Sequence, residues 1–168
     1  MELLVQLLRF VNVFAAAVVG GGQLCVLLVI VPTKRQFSTR TSVEVHNAML
    51  GHQIDYYMKP SGITSGLTAI ALILLGAFQA YPLPAVSLVF YGLGLLGTAG
   101  VVITSRYFNV PMNRMMLTWD LDKIPENYPE LRKRWDTVHT IRASCGLWGF
   151  ACYLIAVLAA IPAPATGG

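Results

Sequence analysis

Between Pro129 and Pro162, steps of four and three from Trp135 pass through His139, Arg142, Gly146, Gly149 and Tyr153, which puts these side chains on one face of a helix. A stripe meant for lipid would be Leu and Val. This one carries an indole, an imidazole and a guanidinium, then two glycines that let a neighbouring backbone or a flat ligand come close, then a phenol. Each part has a plainer use: glycines serve tight helix packing, an indole anchors a helix at the membrane surface, and an arginine can snorkel to the headgroups. Ionisable groups such as His139 and Arg142 are nevertheless expensive near hydrocarbon unless they face a bundle interior, a cavity or the interface. The stripe therefore reads as an inward wall.

A second polar group, "NVPMN" at 109–113, stands where a long apolar run ends. Pro111 removes a backbone donor and frees a carbonyl near Tyr107. Asn109 and Asn113 can satisfy such groups, and the proline is expected to end the third span. In the first apolar run Asn12 and Gln23 share a face with Ala16 and Gly20, so Gln23 also looks inward. From 37 to 58 the chain lacks an internal proline and reads as an amphipathic helix with His46, Leu50, Gln53 and Tyr57 on one stripe. Such a helix either lies in the headgroup layer or acts as a lid whose His46, Gln53 and Tyr57 look into the bundle.

The elements that must position these groups follow from composition. Hydrophobic residues make up 55% of the 168 and charged residues only 12%, and the apolar ones are gathered into long runs, which indicates spans in lipid. Four runs, 3–31, 63–81, 83–107 and 140–161, are each long enough to cross a hydrocarbon layer of about 30 Å. The fourth helix is expected to begin well before its apolar part, because Pro129 suits a first turn and Glu130 suits a positive helix end. The expected fold is all-α: a four-helix transmembrane bundle in one integral membrane domain, with an additional interfacial helix at 37–58 between the first and second spans.

Apart from Arg9, every Lys and Arg lies in or beside the first and third connections. The positive-inside rule puts those connections in the cytoplasm and both termini on the other side of a multi-pass protein, in the plasma membrane if the source is bacterial. The net charge of +4 is thus explained by cations meeting anionic headgroups of the lipid bilayer, and nucleic acid is not expected as a partner. Cys25, Cys145 and Cys152 form no Cys-x-x-Cys pair. There is no phosphate-cradling glycine loop, nucleophile elbow or His-Glu-x-x-His signature. His46 and His52 fall roughly 120° apart around a helix, so no metal site is expected.

"NVPMN" followed by "RWDTVHTIR" (134–142) resembles the Asn-x-Pro-x-Asn and Trp-x-x-x-His-x-x-Arg elements of the anthrone oxygenase-like family of small four-helix membrane proteins, and the span pattern agrees. The matched positions are Asn109, Pro111, Asn113, Trp135, His139 and Arg142. The resemblance implies an oxygenase that needs no cofactor and converts an anthrone-like polycyclic phenol to a quinone with dioxygen. Under that implication His139 is the base, Arg142, Asn109 and Asn113 hold the developing oxyanion, and Trp135 offers a flat face to the substrate. Tyr153, Gln23, His46, Gln53 and Tyr57 complete the expected substrate-binding set from the residue reading alone. The other class of function that fits is a non-catalytic binding or accessory subunit, either homo-oligomeric or part of a larger membrane complex, and binding a quinone or lipid.

Overall fold

The computed structural model describes residues 1–50 and 53–161, excluding the side chains of residues 50–55. Among these residues there are five helices and no strands: α1 (Glu2–Lys34), α2 (Thr39–Leu50), α3 (Gln53–Ala77), α4 (Ala85–Leu117) and α5 (Tyr128–Leu158). All but α2 are long and apolar enough to cross a membrane. They close a ring in the order α1, α3, α4, α5 and back to α1. The outer surface carries exposed Leu3, Phe14, Leu67, Leu96, Trp148 and Leu158, as expected of a bundle whose solvent is lipid.

Lipid does not drive apolar helix faces together, so close backbone approach and buried polar contacts must hold the ring. Gly97 lies against the backbone of Gly149, and Gly94 makes room for the Tyr153 ring. The Tyr153 hydroxyl is 2.9 Å from Thr98 Oγ1, tying α4 to α5. Asn12 Nδ2 donates to the Ser65 carbonyl at 2.7 Å and to Thr68 Oγ1 at 3.2 Å, tying α1 to α3. The short link from α3 to α4 turns at Gln79, whose φ of 55° takes the left-handed cap position glycine usually fills. The Tyr81 amide closes that turn on the Leu75 carbonyl at 3.1 Å.

Three expected boundaries need correction. Pro111 does not end the third span, because α4 continues through it to Leu117. A five-residue π-helical turn, Ser105–Asn109, comes just before, and the Val110 amide bonds the Ser105 carbonyl five residues back. The widened turn relieves the clash and the missing donor a proline brings to an α-helix. The interfacial helix does not run from 37 to 58: α2 ends at Leu50, and from Gln53 the chain already belongs to α3. Finally, α3 ends at Ala77, before the expected 81, and carries Pro60 inside it. As expected, α5 starts at Tyr128 with a proline in its first turn and Glu130 beside it.

α2 lies across the basic end of the bundle. Tyr128 Oη donates to Ser42 Oγ at 2.7 Å, Asn47 Nδ2 donates to the Met116 carbonyl at 3.2 Å, and Val43 is fully buried. On the outside, Arg40 pairs with Glu44 at 3.1 Å and with Asp122, and Arg35 pairs with Asp136 at 3.1 Å. Exposed pairs of this kind add little stability. The buried contacts fix how α2 sits.

Candidate functional site

Trp135, His139, Gly146, Gly149 and Tyr153 are all buried along one face of α5, and Arg142 among them is half-buried. At the basic end this wall meets residues from three other helices. The Trp135 and His139 rings stack, with centroids 5.1 Å apart and planes 13° from parallel. Arg142 Nη2 lies 3.0 Å from His139 Nδ1. A guanidinium can only donate, so Nδ1 is the acceptor and the proton of the neutral ring sits on Nε2, which faces the Gln23 carbonyl at 3.3 Å. Arg142 Nη1 also reaches Ser105 Oγ at 3.5 Å.

Asn109 is buried beside this pair. With its amide oxygen toward α5 it accepts from Arg142 Nε at 3.2 Å and Nη1 at 3.1 Å, the orientation that matches donors to acceptors. The Gln23 amide lies over Gly146, where a Cβ would come within 3.2 Å of Oε1. That oxygen is buried with no hydrogen-bond partner. It is an open acceptor facing the glycine stretch of α5.

His46 reaches in from α2. Its ring is edge-on to Trp135 at 5.2 Å. Asn113 Oδ1 accepts from both Trp135 Nε1 at 3.0 Å and His46 Nε2 at 3.2 Å. The other ring nitrogen, Nδ1, accepts from Lys34 Nζ at 2.7 Å, and the Lys34 ammonium stands 4.9 Å from the centre of the Trp135 ring. Burial first, then the Lys34 charge, lowers the His46 pKa to about 3 against the opposing hydrogen bond to Asn113. His46 is therefore neutral at any ordinary pH.

Of the residues expected to form a site, Asn109, Asn113, Trp135, His139, Arg142, Gln23 and His46 come together at one end of the bundle. Tyr153 lies deeper, by a cavity of about 20 Å³ also lined by Ala16, Ser65, Thr98, Gly146 and Gly149. Tyr57 does not join them: it is 67% exposed and packs on Tyr56, because α3 has already begun there and turns it outward. Gln53 falls among the side chains outside the described residues, as does the whole of His52. Among the described residues no group of three His, Cys, Asp or Glu side chains is placed to hold a metal. A larger hollow of about 580 Å³ is an open groove on the outer side of α5, lined by Arg35, Tyr128, Arg132, Lys133 and Asp136, and none of the expected site residues lines it.

Lys34 is the site residue that sequence reasoning missed. Counted with the flanking cations, it reads as a surface charge, yet it is only 5% exposed. A signal was present in "VPTK" at 31–34, which repeats the Val-Pro spacing of "VPMN" at 110–113. Lys34 occupies the place of Asn113.

The anthrone oxygenase family matches this chain over residues 56–152, from the start of the second span to the glycine stretch of α5. The chain belongs to that family. The match takes in Asn109, Asn113, Trp135, His139 and Arg142, while Gln23, Lys34 and His46 lie before it. No curated protein and no solved structure matches the chain.

Proposed function

We propose that this family member is a membrane-embedded oxygenase that needs no cofactor and oxidises an anthrone-like polycyclic phenol to a quinone with dioxygen. The observation that carries the proposal is His139 held between Arg142 and Gln23, with Asn109 on the same guanidinium. In the overall reaction a ring CH2 beside the ketone system and one O2 become a second carbonyl and one water. The substrate oxygen takes over donors of Arg142, and this releases the lone pair of His139 Nδ1. The imidazole then removes the acidic C–H proton. Arg142 and the two asparagine amides hold the oxyanion of the resulting enolate. The enolate passes one electron to dioxygen, the two radicals join at carbon, and the peroxide takes its proton back from the imidazolium. Loss of water from that carbon leaves the quinone.

Trp135 supplies the flat face, and the free Gln23 Oε1 accepts from a substrate hydroxyl. The cavity by Tyr153 holds little more than a water, so a three-ring substrate enters as α2 lifts. The cation-rich connections support a site at the cytoplasmic face, with both termini opposite. Anthrone supplied under air to the purified protein in detergent tests the reaction through oxygen uptake and quinone absorbance. His139→Ala is expected to keep the melting temperature and lose most turnover; turnover like that of the wild type dismisses His139 as the base. Iron, copper or flavin bound in stoichiometric amount would sink the cofactor-free route.

A second reading is favoured by one observation: Lys34, His46, Asn113 and Trp135 hydrogen-bond in one chain, and His139 and Arg142 pair with each other beside it. Such a network also suits an accessory subunit that binds a quinone or lipid in a larger membrane complex. Copurification at fixed stoichiometry, with no oxygen uptake by the chain alone, selects that reading.

A further inference from the structure

At the far end of the bundle from His139, Arg9 continues the inward face of α1 that also carries Val5, Asn12 and Ala16, and it is only 5% exposed. Its guanidinium lies 5.8 Å from the centre of the Tyr81 ring and near enough to Tyr91 for both its charge and its N–H groups to act on that hydroxyl, without closing a well-formed hydrogen bond. No carboxylate pairs with it among the described residues, and Glu2, the acidic residue at that end of α1, is exposed. Arg9 Nε, Tyr91 Oη and Ser87 Oγ are all buried without a hydrogen-bond partner. Ser87 and Tyr91 stand one turn apart on the same face of α4 and are fully buried.

A buried cation and buried donors without acceptors are each costly, and here they converge. Ser87 lies in the first turn of α4, whose N-terminus carries no side-chain cap, so the positive end of the helix adds to the same potential. Val5, Leu72 and Tyr153 form the apolar cluster around Tyr91, which strengthens any charge interaction made there. The surrounding surface, with Leu7, Phe10, Phe78 and Val86 exposed, faces lipid.

We propose that Arg9, Tyr91 and Ser87 form a second binding site, for the oxyanion head of an amphiphile taken from the leaflet at that end. Its head group is a carboxylate or a phosphate that accepts from the guanidinium and both hydroxyls, and its tail lies on the surrounding apolar surface, where Leu7, Phe10, Phe78 and Val86 are exposed. The site is independent of the oxygenase reading, because none of its residues belongs to the His139 cluster.

Native mass spectrometry of the full chain in detergent, with melting curves, tests the site using three probes: oleate, phosphatidylglycerol and inorganic phosphate. The wild type is expected to retain one equivalent of an anionic probe and to melt higher with it. Arg9→Gln should weaken that binding at least about tenfold, and Tyr91→Phe roughly threefold to tenfold. Retention of oleate identifies a free fatty carboxylate, retention of phosphatidylglycerol a membrane phospholipid, and retention of phosphate alone a soluble anion, which overturns the amphiphile. Should Arg9→Gln fail to fold, Tyr91→Phe carries the test. Binding of no probe, or equal binding by wild type and Tyr91→Phe, overturns the site.

Discussion

Replacing Asn113 with Ala removes one oxygen on which two buried N–H groups depend. Trp135 Nε1 and His46 Nε2 both donate to Asn113 Oδ1, at 3.0 and 3.2 Å, and both rings are 3% exposed. A buried donor left without an acceptor costs about 1–3 kcal/mol. Asn113 itself is only half-buried, so water can enter the vacated space and serve one of the two donors, which leaves a net loss of about 1–3 kcal/mol. Trp135 lies at the contact and reports on it, so thermal unfolding in detergent followed by tryptophan fluorescence is the assay. Asn113→Asp keeps the acceptor and faces the Lys34 ammonium across His46, and it should recover most of the loss. A stability of Asn113→Ala within about 0.5 kcal/mol of wild type would show that the shared acceptor is not what docks α2. Equal damage from Ala and Asp would refute the hydrogen-bond reasoning itself.

The docked His46 titrates at about 3, against 6.5 for the same ring in water. As pH falls below 6.5 the detached α2 therefore binds a proton that the docked one does not, and docking weakens by about 1.4 kcal/mol per pH unit. Between pH 6.5 and 5 this amounts to roughly 2 kcal/mol, with no contribution from His46 above pH 7.5. Hydrogen exchange of the Thr39–Leu50 amides, corrected for intrinsic rate, should show that loss of protection, and a flat profile would contradict it. Gly97→Ala places a Cβ 2.8 Å from the backbone of Cys145 and Gly149, forcing α4 and α5 apart at a cost of about 1–3 kcal/mol. Gly92→Ala, with nothing within 4 Å, is the matched control and should melt like wild type.

What was legible in the sequence was whatever follows from helical spacing alone. The α5 stripe and the Asn12–Gln23 face need only steps of three and four to be drawn, and the structure buries both. The spacing misplaces Tyr57, because its position depends on where one helix ends and the next begins, and Gly51, just ahead of the start of α3 at Gln53, is a lone glycine that the helical stripe runs through. Arg9 was legible as an isolated charge but not as a buried one. Its surroundings come from Tyr81 and Tyr91, far along the chain, and only the closed ring of helices brings them beside it.

A proline after an apolar run reads as a stop because it removes a donor and clashes with the turn before it. Here both Val-Pro pairs follow a five-residue π-helical turn, Val26–Ile30 before Val31-Pro32 and Ser105–Asn109 before Val110-Pro111. In each the valine amide bonds the carbonyl five residues back, Val26 or Ser105. An extra residue in one turn rotates everything beyond it by roughly 100° around the helix. In α1 the rotated residue is Lys34 and in α4 it is Asn113, and these helices lie across the ring from one another. The two deliver a donor and an acceptor to opposite nitrogens of the same ring, Lys34 to His46 Nδ1 and Asn113 to His46 Nε2. Two equivalent backbone irregularities thus fix both the tautomer and the position of one histidine, and through it the seating of α2 over Trp135 and His139.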